Sequence, residues 1–316
     1  MTFSEKNNIL KNEIINTLRP HITNDYWLLE LPYYTNIGDV LIWQGSEDFL
    51  KTLNAHCKYK SSSNTFKPQR ISLDTIILLQ GGGNFGDIWN EPQEFRRKII
   101  TSYPDNKIII LPQTVWYNDE TLLLQDAQIY AGHKNLILCA RDKKSYGILN
   151  EYFSANVILL VPDMAFCIDP KSLRKHYGKP SEKSLFLKRT DQELNKGFNY
   201  SDFIDEESVD IADWPPMEKR MLSSFLLRCF IWISRRIKFL FPKLTDIYAS
   251  LIFKPCMVKV GIGFIKKYEK VYTTRLHAGI LCCLLEKPFV FFDNSYGKNS
   301  SFFETWLSDL EQVEFH

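Results

Sequence analysis

A chain of 316 residues is too long for one typical core and fits two domains comfortably. Its hydrophobic (45%) and charged (24%) fractions are those of an ordinary folded protein, and a formal net charge of +2 excludes a global pull on nucleic acid, so any basic function is local. Seven cysteines, an odd number without CxxC spacing, argue against a disulfide framework and against a zinc ribbon.

The stretch Met1 to Asn7 lacks a basic segment followed by an apolar one, so a cytoplasmic protein is expected. Short β-branched apolar runs then alternate with helical periodicity through the first half, the pattern of a parallel sheet covered on both faces. The first strand, Tyr26 to Leu31, leads into Asn36-Ile37-Gly38-Asp39, which opens a helix through Leu41, Ile42, Trp43 and Phe49. Asn36 or Asp39 can cap that helix, and a ligand hydroxyl can use the same strand-end position. The second strand, Thr75 to Leu79, runs into Gly81-Gly82-Gly83-Asn84-Phe85-Gly86-Asp87, expected as a loop. Glycines there let backbone N–H groups approach an anion; the spacing is neither GxGxxG nor GxxxxGK, and a tight strand-to-helix turn is the alternative.

Strands Lys107 to Leu111, Leu136 to Ala140 and Val157 to Leu160 come next, ending in the loops Pro112 to Trp116, Arg141 to Ser145 and Pro162 to Ala165. Arg141 puts a guanidinium on this rim or pairs with Asp142 at a helix start, and Asp163 reads as a turn cap. Ligands of open α/β sheets bind at the carboxyl ends of the strands, so these loops should crowd one rim. A first domain over 1–168 and a linker from Asp169 to Lys183 are expected.

A second α/β unit over 184–316 begins with Ser184 to Arg189 and continues with strands near Ser208 to Ile211, Lys270 to Thr273 and Pro288 to Phe292. Between them, Met221 to Phe241 carries too many charges to span a bilayer. On a helix, Arg220, Ser224, Arg228, Arg235 and Lys238 gather on one side and Phe225, Cys229, Trp232, Ile233 and Leu240 on the other. Such a segment, near 217–243, suits a membrane surface, or it packs on the second domain. Past the next strand, Arg275 and His277 join an anion-gripping fork to a group that moves protons near neutral pH. The other histidines, His21, His56, His133, His176 and His316, lack such company.

In order and spacing these motifs resemble the polysaccharide pyruvyl transferase family over nearly the whole chain. The likeness is carried by Asn36 to Asp39, Gly81 to Asp87, Leu111-Pro112-Gln113-Thr114, Ala140-Arg141-Asp142, Pro162 to Ala165, Arg275-Leu276-His277 and Asp293-Asn294-Ser295-Tyr296-Gly297-Lys298. It implies two Rossmann-like α/β domains facing across a cleft, like GT-B glycosyltransferases. The implied reaction moves a carboxyethylidene group from phosphoenolpyruvate to two hydroxyls of a sugar, forming a pyruvate ketal. Arg141 and Arg275 match positions that hold the donor's anionic groups, with Leu276, Gly82, Gly83, Lys298 and Asn294 expected around it. His277 matches the proposed acid/base, and Asp87 falls where the family places an acid near the reacting sugar. Asn36, Asp39 and Asn84 are expected toward the acceptor, a sugar that a lipid could carry. No cofactor and no metal is expected, for no metal-ligand cluster is evident. Thr274 departs from the family pattern, where an acidic residue would steady Arg275. The rivals are a GT-B glycosyltransferase using a nucleotide sugar and a non-catalytic glycan-assembly partner.

Overall fold

The computed structural model describes residues 1–169, 173, 183–205, 207–237 and 239–316. The expected linker lies outside them apart from Asp169, Leu173 and Lys183, as do His176 and Lys238.

Two parallel sheets form the molecule. The first has strands β1 (Tyr26–Leu29), β2 (Cys57–Lys60), β3 (Ile76–Leu79), β4 (Gly82–Gly86), β5 (Ile108–Trp116), β6 (Leu136–Ala140) and β7 (Val157–Leu160). Their order is β2-β1-β3-β5-β6-β7, with β4 pairing the far end of β5. The second has β8 (Ser184–Leu187), β9 (Val209–Ala212), β10 (Val271–Thr273), β11 (Phe289–Phe291) and β12 (Val313–Phe315), in the order β12-β11-β10-β8-β9. Every residue of β1, β3 and β6 is buried, as parallel strands covered by helices require. This is the expected Rossmann-like pair.

Three strands were not anticipated. β2 and β12 are short edge strands carrying charged side chains (Lys58, Lys60, Glu314), which breaks the apolar signature. β4 corrects the loop expected over 81–87, and β5 runs on through the loop expected over 112–116. Glycine makes this pairing possible: a Cβ on Gly86, at φ +124°, would sit 1.8 Å from the Trp116 carbonyl oxygen, and one on Gly81 would sit 2.7 Å from that of Pro112.

The two sheets are not independent bodies. Helix α1 (Phe3–Leu18), started by a Thr2/Glu5 capping box, lies against the helix Leu276–Leu284 of the second unit, where Asn7 Nδ2 donates to the Cys283 carbonyl at 2.8 Å. α2 (Ile37–Leu50), capped by Asn36, packs on both Lys254–Lys266 and Leu276–Leu284. From the other side the C-terminal helix Lys298–Trp306 reaches back: Trp306 Nε1 donates to the Arg141 carbonyl at 2.7 Å and Ser301 Oγ to Asp142 at 2.9 Å. One continuous core therefore runs from Ile14 through Val40 and Trp43 to Met257, Leu281 and Phe302.

The expected amphipathic segment is a single turn, Pro215–Glu218, the helix Leu222–Arg236, and a second helix from Phe241 that continues through a π turn at Ala249–Phe253 to Lys266. Its sidedness differs from expectation. Ser224, Leu227 and Ser234 turn inward, with the Ser234 and Thr245 hydroxyls 2.6 Å apart, while Phe225 and Trp232 stay exposed. Small Ser234 lets the two helices approach at Thr245, and the bulkier aromatics Phe225 and Trp232 stay outside.

Candidate active site

Both sheets turn strand carboxyl ends toward one pocket of about 570 Å³. From the first unit come Asn36 and Asp39 at the start of α2, Gly83 and Asn84 on β4, and Arg141 just past β6. The second supplies Arg189 and Glu193 after β8, Trp214 after β9, Arg275, Leu276 and His277 after β10, and Lys298 after β11.

At the junction Asp163 binds both sides. Its Oδ2 accepts from Arg141 Nη1 at 2.7 Å and lies 3.3 Å from His277 Nε2, while Oδ1 accepts from the Ala165 N–H at 2.9 Å. Asp163 thus caps its turn, as expected, and also ties an arginine of one unit to the histidine of the other. Burial alone would raise this carboxyl, but His277 and Arg141 hold it well below the usual carboxylate range. Arg141 is fixed further by donating from Nε to Thr114 Oγ1 at 2.9 Å, and its Nη1 stands 3.5 Å from His277 Nε2. The imidazole abuts the backbone of α2, where a Cβ on Gly38 would lie 2.5 Å from Nδ1. The Asn36-Ile37-Gly38-Asp39 motif therefore supplies a cap and a seat for His277.

On the second unit the cations come already paired. Arg275 donates to both oxygens of Asp213, at 2.6 and 2.5 Å, and lies 3.1 Å from Asp191. Asp213, past β9, thus supplies the carboxylate that Thr274 lacks; Thr274 Oγ1 instead accepts from the Arg189 N–H at 2.9 Å. Arg189 pairs with Asp191 and Glu193, each at 2.8 Å, and Lys298 pairs with Glu193, which also accepts from the Tyr296 hydroxyl at 3.0 Å. Burial outweighs the attraction of Glu193 and, with Arg189 and Arg141 close by, brings the Lys298 ammonium down to about 8. Lys298 and Arg189 in turn overcome burial at Glu193 and hold its carboxyl down. Gly83 completes this corner: a Cβ there would come within 2.9 Å of Arg141 Nη2 and 3.6 Å of Lys298 Nζ.

On the first unit, Asp39 Oδ2 accepts from Asn36 Nδ2 at 2.8 Å and from the Tyr34 hydroxyl at 3.0 Å. Asn84 is anchored through Arg96, which bonds its side chain and its carbonyl and pairs with buried Glu30. Burial lifts the Glu30 carboxyl to about 7 against the pull of Arg96.

Nine of the expected site residues line this pocket: Asn36, Asp39, Gly83, Asn84, Arg141, Arg275, Leu276, His277 and Lys298. Three do not. Gly82 is buried behind it, and Asn294 turns its Oδ1 to the Lys298 N–H at 2.7 Å. Asp87 accepts from the Asn118 and Asp119 N–H groups, each at 2.7 Å, and so braces the 117–119 turn outside the pocket. Arg189, Asp191, Glu193 and Asp213 were missed. Their signal was positional, charged groups directly after β8 and β9 on the same rim as Arg275.

The sequence profile described as polysaccharide pyruvyl transferase matches residues 36–296, which hold nearly all of this pocket. The chain belongs to that family. It is 34% identical over 287 residues to the putative pyruvyl transferase EpsO of Bacillus subtilis, covering 89% of this chain and 85% of that one. It is 28% identical over 301 residues to pyruvyl transferase 1 of Schizosaccharomyces pombe, covering 89% and 69%. A crystal structure of an uncharacterized Klebsiella pneumoniae protein, KP1_0663, shares the fold with a TM-score of 0.65 at 19% identity over 97% of this chain and 98% of that one.

Proposed function

We propose that this polysaccharide pyruvyl transferase takes phosphoenolpyruvate as its donor and closes a pyruvate ketal on two hydroxyls of one sugar. The observation that carries the reading is the meeting of Arg141, Arg189, Arg275 and Lys298 with His277 around one pocket. Each cation is already paired with a carboxylate. Donor binding therefore relies on N–H groups fixed in place rather than on excess positive charge, which costs little reorganisation when a carboxylate and a phosphate arrive.

Protonation of the donor's methylene carbon generates an oxocarbenium-like centre at the adjacent carbon. One sugar hydroxyl attacks that carbon and loses its proton; phosphate departs by cleavage of its bond to the same carbon, and the second hydroxyl closes the ketal with loss of its proton. One proton stays on the new methyl group and the other leaves with phosphate. His277 moves protons on the donor side, with Asp163 orienting its Nε2 and stabilising the imidazolium. We assign receipt of an acceptor proton to Asp39, a reading supported by its position in the pocket lining, which does not include Asp87. Tyr34 and Trp89 are partly exposed beside the pocket and suit the face of a sugar ring. This chemistry requires no metal or cofactor.

We place the protein in the cytoplasm, peripheral on the membrane, acting in surface-polysaccharide assembly. Supporting this is an exposed apolar stripe, Leu240, Leu244, Ile247, Leu251 and Ile252, beside Phe239, which is 92% exposed. The helical run Phe241–Lys266 is long and apolar enough to cross a membrane, but half of its apolar window is buried inside the protein, which favours lying on the surface. Thermal unfolding tests the donor: phosphoenolpyruvate should raise the melting temperature with a concentration dependence, and nucleotide sugars should not. The opposite pattern would favour the GT-B glycosyltransferase, and no shift with either would favour a non-catalytic partner.

A further inference from the structure

Strand β4 leaves the regular ladder where it meets the pocket. Gly82 pairs with Gln113 and Phe85 with Val115, so β4 takes three steps where β5 takes two, and Gly83 and Asn84, both in the pocket lining, form the bulge. A carbonyl released from a ladder needs another donor. Arg96, on the helix Asn90–Ser102, supplies it, donating from Nη1 to the Asn84 carbonyl at 2.9 Å.

Arg96 is wholly buried, and each of its N–H groups has a partner. Nε and Nη2 hold the two oxygens of Glu30 at 3.0 and 2.5 Å, Nη1 also reaches Gln93 Oε1 at 3.2 Å, and Nη2 also donates to Asn84 Oδ1. Glu30 stands just past β1 with φ +66°, a left-handed conformation that glutamate seldom adopts. A buried carboxylate on strained backbone weakens a fold, and a well-packed apolar pair would fill the same space. What the ion pair adds is the orientation of one pocket side chain.

With Oδ1 engaged by Arg96, Asn84 presents Nδ2 to a ligand, and that amide has no partner among the described residues. Asp39 stands close by: a Cβ on Gly82 would lie 3.7 Å from both Asn84 Oδ1 and Asp39 Oδ1. Asn36 and Tyr34 hold Asp39 Oδ2, which leaves Oδ1 open. This corner therefore sets an N–H donor beside a carboxylate acceptor. The pair complements two neighbouring hydroxyls, one accepting through its oxygen and one donating its hydrogen.

We infer that Arg96, held by Glu30, is a positioning residue for the acceptor: it turns the Asn84 amide toward one sugar hydroxyl while Asp39 takes the hydrogen of the neighbouring one. This deepens the reading above and rests on its placing of the acceptor at Asp39 and Asn84.

The test uses the full chain and the variant Glu30→Gln/Arg96→Met, which leaves no buried charge unpaired. Its first arm needs no acceptor. With asparagine labelled with nitrogen-15, the Asn84 side-chain amide signals are identified by their loss in Asn84→Ala, and they should shift and broaden in the double variant. Signals unchanged in position and width overturn the inference. The second arm measures phosphate release from phosphoenolpyruvate with galactosides, mannosides and glucosides, free and lipid-linked. The acceptor KM should rise at least ten-fold in the double variant and the phosphoenolpyruvate KM should stay within two-fold. Asn84→Ala should reproduce that rise, and adding it to the double variant should change the acceptor KM less than two-fold further. Losses that multiply, or equal rises in both KM values, would make the pair a packing element and overturn the inference. If the double variant does not fold, Arg96→Lys, which keeps the charge and loses the fork, is held to the same outcomes. Wild type that releases phosphate with none of these sugars would sink the acceptor reading, and the amide signals would then decide the positioning alone.

Discussion

Gly38 and His277 are in contact across the two units, so close that a Cβ at Gly38 would lie 2.5 Å from Nδ1 of the imidazole and 3.0 Å from its Cβ. A methyl group there cannot be accommodated by turning the ring alone, since the His277 Cβ is crowded too. Gly38→Ala should therefore displace the imidazole from Asp163. Because misplacement by about 1 Å can cost on the order of 100-fold in rate, kcat for phosphate release should fall by about that factor. Circular dichroism should show a folded protein, and kcat within about two-fold of wild type would contradict this role for the contact.

Asp163→Asn should remove the charge that Arg141 and His277 share. Both Arg141 and Asp163 are almost wholly buried, and breaking such a pair costs about 3–5 kcal/mol because an uncompensated charge remains. The carboxyl is depressed on folding, so its contribution is complete above the unfolded value of about 3.9 and is lost as pH falls below it. Chemical denaturation at pH 7 should show the full loss, and the gap between wild type and variant should narrow toward pH 2. A constant gap would contradict the charge argument.

Lys298 gives an alkaline signature of opposite sign for binding and stability. With the folded ammonium titrating near 8, KM for phosphoenolpyruvate should rise through that pH as the charge is lost. Between about 8 and the unfolded value of about 10.4, the unfolded chain binds more protons, so this residue's contribution to folding stability increases with pH. Lys298→Met should flatten both trends. The comparison is a KM–pH profile and a melting series on the two proteins; parallel profiles would exclude Lys298 as the titrating group.

Asp87→Ala should be mild. The residue holds two backbone N–H groups of the 117–119 turn, and because both bonds are exposed, water can replace them and each loss costs about 0.5–1.5 kcal/mol of stability. Activity should stay within a few-fold of wild type at temperatures well below melting, whereas Asp39→Asn should cost far more. The reverse ranking in a steady-state assay would restore Asp87 to the reacting sugar.

The rim of the site was legible because parallel strands announce themselves as buried apolar runs, and topology brings the residues at the carboxyl end of each run to one edge. That logic brought Asn36, Arg141, Arg275 and His277 to one rim, and all four line the same pocket. It could not rank two carboxylates on separate strand-end segments: Asp87 and Asp39 both come after strands, but β4 carries Asp87 on to a turn, whereas Asp39 in the first turn of α2 lines the pocket. Asp163 looked like a cap because it is one, and its second oxygen's partners come from residues 22 and 114 positions away. Asp213 was hidden by the same long-range geometry, 62 residues from the arginine it orients. On the helix Leu222–Arg236, periodicity separated charged from apolar side chains, but the serines that set which side packs inward contribute almost nothing to such a pattern.

The most direct measurement is release of phosphate from phosphoenolpyruvate in the presence of galactosides, mannosides and glucosides, free and lipid-linked, with mass spectrometry of the glycans. Acceptor-dependent release, with one carboxyethylidene gained per phosphate and both lost in His277→Ala, is the predicted result. Sugar transfer from a nucleotide donor with phosphoenolpyruvate untouched, or full activity in His277→Ala, would contradict the account.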